Sequence, residues 1–194
     1  MKYVEVTLMP GIDVPLSFLW KKVFTKVHLR LVEVQDSNQN VPFGFSFPEY
    51  SENPLGIGNK FRVFSKTDHD LLDLDLAGNL SNYSDYVHLT RIRNVPEACT
   101  YARYRRAQPN GNLEKIARRK AMREGILYSE ALKVLKRPDS NKSGSNVFPY
   151  IYMKSLSSNQ DFCLFIKKEK AAFSQEFFFS TYGLSSICVV PEFV

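Results

Sequence analysis

Apolar and polar side chains alternate along Tyr3–Met9 (YVEVTLM), the two-residue period of a strand with one buried face. The period then lengthens. Leu16, Leu19, Trp20, Val23, Val27 and Leu31 recur at helical spacing and predict one long amphipathic helix from Leu16 to about Val34. Short apolar runs at Phe43–Phe47 and Phe61–Ser65 predict two strands, separated by a loop rich in Gly, Pro and Asn. Thr67 and Asp68 suit the cap of a helix running through Leu71, Leu72 and Leu76, with Gly78 to end it. Tyr86–Val95 (YVHLTRIRNV) predicts a further strand. The resulting order, βαββαβ, is that of a ferredoxin-like unit, so an α+β fold of that kind is expected for residues 1–96.

Beyond Pro96 the pattern changes, and residues 97–194 are expected to hold a basic helical segment followed by a degenerate, β-rich half. Cys99–Gln108 predicts an extended segment. Pro109–Asn112 (PNGN) predicts a turn into a helix that ends near Gly125, with a second helix at Ser129–Lys136. Arg137–Asn146, rich in Ser, Asn and Lys, predicts a loop. Strand-like runs follow at Val147–Lys154, Phe162–Lys168, Phe177–Tyr182 and Ile187–Val190. No repeat at solenoid spacing is visible.

With 194 residues, 44% of them hydrophobic, the chain can build one domain or two small ones around a buried core. No apolar run approaches the ~20 residues a membrane span needs. The opening residues lack the pattern of a signal peptide, so a cytoplasmic location without membrane contact is expected. Cys99, Cys163 and Cys188 are isolated and form no CxxC pair, which predicts reduced structural thiols and no zinc site.

Charge changes the picture more than composition does. Eleven of the 26 Lys and Arg residues fall between Arg103 and Arg137, against three acidic residues, so this stretch is net +8 and the remainder net −2. Such concentration beside Tyr101, Tyr104 and Gln108 is the footprint of a polyphosphate partner, most simply nucleic acid, although a solvated basic helix face would have the same composition. On a helix at 100° per residue, Lys115, Arg118, Arg119 and Arg123 share an arc of roughly 140°. Leu113, Ile116, Ala117 and Ala121 occupy the opposite side, while Met122 interrupts the basic arc. In an extended chain, Arg106 and Gln108 point the same way. Arg suits guanine O6/N7 and Gln suits adenine N6/N7, so the pair fits base readout, or else further phosphate contacts.

Of the three histidines, His69 falls at a helix start and His88 in a strand, positions that suit surface and structural roles. His28 (KVHLRL) lies at the edge of the long helix's buried stripe. Lys154–Gln160 (KSLSSNQ) offers hydroxyls and amides to a phosphate, as a plain surface turn also would. Tyr182 (STYGLS) fits either the core or a placed hydroxyl. No metal-ligand spacing, P-loop, GxSxG or HExxH occurs, and no cofactor is expected.

Taken in order, KVHLRL, GFSFPEY (Gly44–Tyr50), YARYRRAQ (Tyr101–Gln108), ARRKAMRE, KSLSSNQDFCLFI (Lys154–Ile166) and STYGLS (Ser180–Ser185) resemble the CRISPR RNA-processing endoribonucleases of type I-F systems, over essentially the whole chain. The resemblance implies that His28 is the catalytic histidine, Ser155 the catalytic-loop serine and Tyr182 a third active-site group. It further implies that Ser157 and Ser158 are loop hydroxyls on the RNA, that Phe162 stacks on the terminal base pair, and that Arg106 and Gln108 read base edges at the foot of the hairpin. Lys115, Arg118, Arg119, Lys120 and Arg123 are the groove-contacting candidates. Here the chain departs from the pattern, with an extra residue between Gln108 and Met122, and Glu124–Gly125 where basic residues are usual.

The implied function is cleavage of precursor CRISPR RNA within its repeats. The 2′-OH beside the scissile phosphate attacks without a metal ion, leaving a 2′,3′-cyclic phosphate and a 5′-OH. The implied partners are the repeat hairpin, retained after cutting, and other subunits of a type I-F effector complex. An alternative reading is a hairpin-binding subunit with weak or no cleavage. A general ferredoxin-like RNA binder is disfavoured, because the aromatic RNP signature is missing.

Overall fold

A computed structural model describes residues 1–108, 113–135, 148–155 and 158–193. The predicted turn at 109–112, the loop at 137–146 and Ser157 lie outside the described residues. In chain order the elements are β1 (Lys2–Leu8), α1 (Leu16–Glu33), β2 (Gly44–Ser46), β3 (Ser51–Glu52), β4 (Leu55–Gly56), β5 (Lys60–Ser65), α2 (Asp68–Leu74) and α3 (Leu76–Asn79). They continue with β6 (Val87–Leu89), β7 (Arg93–Asn94), β8 (Thr100–Ala107), α4 (Leu113–Glu124), α5 (Tyr128–Leu135), β9 (Tyr150–Lys154), β10 (Asp161–Lys170) and β11 (Val190–Glu192). This is a mixed α+β chain. It divides into two compact units, one formed by Met1–Ala107 with Pro149–Val194 and the other by Gln108–Phe148. Among the described residues, no helix is long and apolar enough to cross a membrane.

Among the described residues the first unit holds three antiparallel sheets: one of strand order β2-β5-β1-β6 with β7 pairing beside β6 on β1, one of order β11-β8-β10-β9, and the short pair β3-β4. Pro15 has no N–H to lose and an extended backbone, so α1 begins directly after it. The helix buries Leu19, Trp20, Val23, Phe24, Val27 and Leu31; all but Phe24 belong to the stripe its spacing predicts, while Leu16 at the helix start is only half-buried. Trp20, Phe24, Phe45, Phe47 and Phe61 form the centre of the core, with ring centroids 5.5 to 6.4 Å apart. Truncating a buried Phe of this kind to Ala costs about 3–5 kcal/mol. Trp20 also donates its indole N–H to the Gly58 carbonyl at 2.8 Å.

On the other face of the first sheet Arg62 is buried. Its Nε pairs with Glu5 at 2.7 Å, its Nη1 donates to the Phe193 carbonyl at 2.7 Å, and its guanidinium lies 4.0 Å from the Phe193 ring centroid. In β8, Ala102, Tyr104 and Ala107 are buried. The Tyr104 hydroxyl donates to Glu192 at 2.8 Å, and its acidity is suppressed by burial and by that carboxylate.

Several local expectations are corrected. The predicted helix from Thr67 to Gly78 is two helices, because Asp75 adopts a left-handed backbone (φ 44°, ψ 58°) and its carboxylate caps Gly78 N–H. Asp is one of the few residue types that tolerate that region. Thr67 alone provides the side-chain cap of α2, accepting from Asp70 N–H at 3.1 Å, and His69 is on the surface beside Asp73. The single strand expected over Tyr86–Val95 is split into β6 and β7. The runs at Phe177–Tyr182 and Ile187–Val190 are mostly irregular: Phe179 makes one bridge to Val41, and only Val190 joins a strand. Two local devices account for this. Ser180–Gly183 forms a tight turn with Gly183 at φ 68°, and the Ser185 hydroxyl accepts from the N–H groups of Ile187 and Cys188, displacing ladder bonds.

In the second unit, Gly125 ends α4 at φ 65°, as the sequence suggested, and α5 begins one residue earlier than predicted.

Candidate active site

Three separate segments of the first unit meet around His28. The residue sits in the penultimate turn of α1, one position past the buried Val27, which leaves its ring half-buried at the stripe's edge. Its Nδ1 lies 2.8 Å from the Thr181 carbonyl oxygen. A carbonyl can only accept, so in the neutral ring the proton is on Nδ1 and the lone pair on Nε2. The Tyr182 ring lies parallel to the imidazole, with centroids 4.2 Å apart and planes 3° from coplanar.

The turn that presents Thr181 and Tyr182 depends on Gly183. Its N–H donates to the Ser180 carbonyl at 2.8 Å, and its own carbonyl accepts from Phe45 N–H in β2 at 2.9 Å. A Cβ at this position would stand 2.3 Å from the Phe45 ring, and φ is positive, so only glycine fits. The turn is thus fastened to the core strand that packs on α1.

The third segment is the end of β9 and the start of β10. Ser155 follows β9 and closes the connection by donating its N–H to the Gln160 carbonyl at 2.8 Å, while its hydroxyl oxygen accepts from Ser158 N–H at 3.3 Å. Lys21 of α1 pairs with Asp161 at 3.1 Å and lies over the Tyr152 ring, which ties the helix to this hairpin. A cavity of about 260 Å³ results, lined by His28, Ser155, Phe162 and Tyr182 with Thr25, Leu29, Met153 and Lys154. Burial lowers the His28 pKa from its ordinary value, and the Thr181 hydrogen bond opposes that shift only in part. The ring is therefore mostly neutral near pH 7, with Nε2 able to take a proton.

Four sequence-nominated residues, His28, Ser155, Phe162 and Tyr182, share this cavity. Ser158 is exposed on the adjoining turn. Arg106, on β8, is exposed with its guanidinium 5.8 Å from the Phe162 ring centroid. Gln108 and α4 belong to the second unit. There Gln108, Arg118, Arg119 and Arg123 are exposed and Lys120 is half-buried, whereas Ala117 is buried. Met122, within the basic arc, is 88% exposed. Lys120 and Arg123 both engage Glu124, at 3.4 and 3.0 Å. Lys115 is on the same helix, but its side chain is outside the described residues.

Sequence reasoning missed two contributors. Thr181 acts through its carbonyl, which every residue type carries, so no residue-type signal marks it. Lys154 places a cation in the cavity wall and was visible only as the first letter of a serine-rich run. Among the described residues, no group of three or more His, Cys, Asp and Glu side chains could hold a metal ion.

Residues 3–193 match the family described as CRISPR-associated protein (Cas_Csy4). The chain is 29% identical over 192 residues to the CRISPR-associated endonuclease Cas6/Csy4 of Pseudomonas aeruginosa (strain UCBPP-PA14), covering 98% of each. It is 26% identical over 194 residues to a protein of the same name from Escherichia coli (strain UTI89 / UPEC), again with 98% of both covered.

Proposed function

The chain belongs to the CRISPR-associated Csy4 family, and from that premise we propose that it is a metal-independent endoribonuclease that cuts precursor CRISPR RNA at its repeat hairpins. The observation that carries this reading is the imidazole of His28, fixed by Thr181 and Tyr182 with Nε2 left to act as a base in a cavity shared with Ser155 and Phe162. RNA supplies its own nucleophile. Nε2 takes the proton of the 2′-OH, the 2′ oxygen bonds to the adjacent phosphorus, and the bond to the 5′ oxygen breaks. The products are a 2′,3′-cyclic phosphate and, once the leaving oxygen gains a proton, a 5′-OH. Ser155 holds the upstream ribose in line, Phe162 stacks on the last base pair, and Lys154 adds positive charge near the phosphate.

Around this centre, Ser157 and Ser158 supply loop hydroxyls, and the α4 cations neutralise groove phosphates. The protein then stays on the mature guide hairpin beside the other subunits of a type I-F effector. Residues 1–96 serve as a ferredoxin-like scaffold, a reading supported by the fully antiparallel order β2-β5-β1-β6; residues 97–194 supply RNA recognition and the β-rich second half. The test is incubation of the purified protein with a repeat-hairpin RNA in EDTA. A single cut leaving a cyclic phosphate is expected. Tight binding without a cut would instead mark a hairpin-binding subunit.

Affinity and specificity should separate by residue. Arg118→Ala combined with Arg119→Ala is expected to weaken binding to all hairpins alike and to reduce the salt slope by about 1–2, because phosphate contacts release counterions whatever the sequence. Arg106→Ala or Gln108→Ala should instead cost about 1–3 kcal/mol of discrimination at the foot of the stem. Equilibrium affinities for wild-type and stem-swapped hairpins at two salt concentrations check both. A uniform loss from all the substitutions would remove the readout role.

A further inference from the structure

His28 and Ser155 belong to different elements, and their spacing depends on how α1 sits against the end of the β9–β10 hairpin. One face of the helix meets that hairpin. Lys21, Thr25 and His28 lie within about 60° of one another around α1, with Lys21 and His28 about 10 Å apart along its axis. Thr25 lines the catalytic cavity, and its hydroxyl donates to the Lys21 carbonyl at 2.6 Å. Two turns before His28, the Lys21 ammonium donates to the Asp161 carboxylate at 3.1 Å and stands 4.8 Å from the Tyr152 ring centroid.

Asp161 stands at the root of the loop that carries the serine. It pairs across the strands with Lys154, the residue before Ser155, and is itself followed by Phe162. Ser155 N–H closes the loop on the Gln160 carbonyl at 2.8 Å, directly beyond this pair. The body of the hairpin is held by the buried side chains of Ile151, Met153 and Leu164. The Lys21–Asp161 pair adds a tie at its end, beside both cavity residues. The bonded Lys21 ammonium holds the Asp161 carboxyl below the usual carboxylate range, so the pair stays ionised at neutral pH. Its side chains are 30% and 45% exposed, and such a pair adds little to global stability. Placement is another matter, because a shift of about 1 Å at a reacting centre can cost about 10²-fold in rate.

We propose that Lys21 and Asp161 are positioning residues, whose pairing sets the spacing between the His28 imidazole and the loop of Ser155 and so governs the cleavage step rather than hairpin affinity. The proposal rests on the ribonuclease reading, which gives the base to α1 and the grip on the upstream ribose to the loop. Neither Lys21 nor Asp161 lines the cavity, so each acts through the elements it joins. With the pair broken, the loop end is free to move off α1, water enters the cavity, and the ribose is no longer held in line with Nε2.

The experiment compares Lys21→Ala, Asp161→Asn, the double variant and Lys21→Arg with wild type. Single-turnover cleavage is measured at saturating protein, beside equilibrium binding of a hairpin with 2′-deoxyribose before the cut. Lys21→Ala and Asp161→Asn are each expected to slow cleavage about tenfold, and the double variant no more than either alone, because both remove one contact. Lys21→Arg should cut within about threefold of wild type, since a guanidinium keeps the pair. Affinity for the deoxy hairpin should hold within about threefold in all four, because the counterion-releasing contacts are elsewhere. An unchanged rate in either single variant would overturn the proposal. So would opposite effects of the two, which mean separate charges acting on the RNA, or a loss of affinity equal to the loss of rate.

The free protein gives a readout that does not depend on cutting. The titration of the His28 ring, followed by NMR, should move up toward 6.5 in both single variants as water reaches the cavity. Loss of the Lys21 cation alone would raise it and loss of the Asp161 anion alone would lower it, so a rise in Asp161→Asn reports the opened cavity. Tyr182 and Lys154, the other titratable side chains lining the cavity, are unchanged in every variant. If wild type leaves the hairpin uncut, the ribonuclease reading fails, and the tie between helix and loop stands or falls on that titration.

Discussion

His28→Ala is expected to reduce single-turnover cleavage of the repeat hairpin by about 10²–10⁴-fold, the usual contribution of a positioned general base. Hairpin affinity should change by less than about threefold, because the cations proposed to release counterions lie on α4, away from His28 in the sequence. The pH profile of the wild-type protein sharpens the expectation. Burial holds the His28 pKa below 6.5, so the neutral, active ring persists at pH 6.5, and the rate falls only as pH drops through the lowered value. Log rate against pH should therefore be flat near neutrality and rise with unit slope only at more acidic pH. An apparent pKa above 6.5, or normal cleavage by His28→Ala, would remove this ring from the chemistry.

What was legible in the sequence follows from which forces are local. The stripe of α1 and the alternation of β1 were readable because each follows a fixed period, whereas which strands pair in the first sheet depends on contacts between distant segments that no period encodes. The breaks were less so. Asp75 interrupts a helical pattern by a backbone choice that one side chain stabilises, and the segment from Phe177 to Cys188 is held by a glycine turn and a serine hydroxyl rather than by a repeating pattern. The site illustrates the same limit. His28 and Thr181 are 153 residues apart and meet through a carbonyl, so residue spacing carries no trace of the contact. Composition reached a polyanion binder. The nomination of His28, Ser155, Phe162 and Tyr182 came from a resemblance, and the shared cavity then brings those four side chains together.

Replacing the single ribose upstream of the cut by deoxyribose should abolish cleavage while leaving a ligand that binds as well as the product hairpin. The reason lies in where the nucleophile resides. The cavity offers one ring nitrogen able to accept a proton, and its Ser155 hydroxyl oxygen already accepts from Ser158 N–H at 3.3 Å. With neutral His28 as the base, the proton it removes is the substrate's own 2′ proton, and loss of that one oxygen leaves the base intact with nothing to activate. The loss should therefore be complete on the timescale of the assay, larger than that of any side-chain substitution, and it should not be relieved by raising the pH. The measurement is single-turnover cleavage of end-labelled RNA beside an equilibrium binding curve for the same molecule. Efficient cutting of the deoxy RNA would mean that His28 activates water or that Ser155 attacks the phosphorus. A 5′-OH together with a plain 3′-phosphate from the first minutes of the reaction would select water, while a covalent RNA–protein adduct would select the serine.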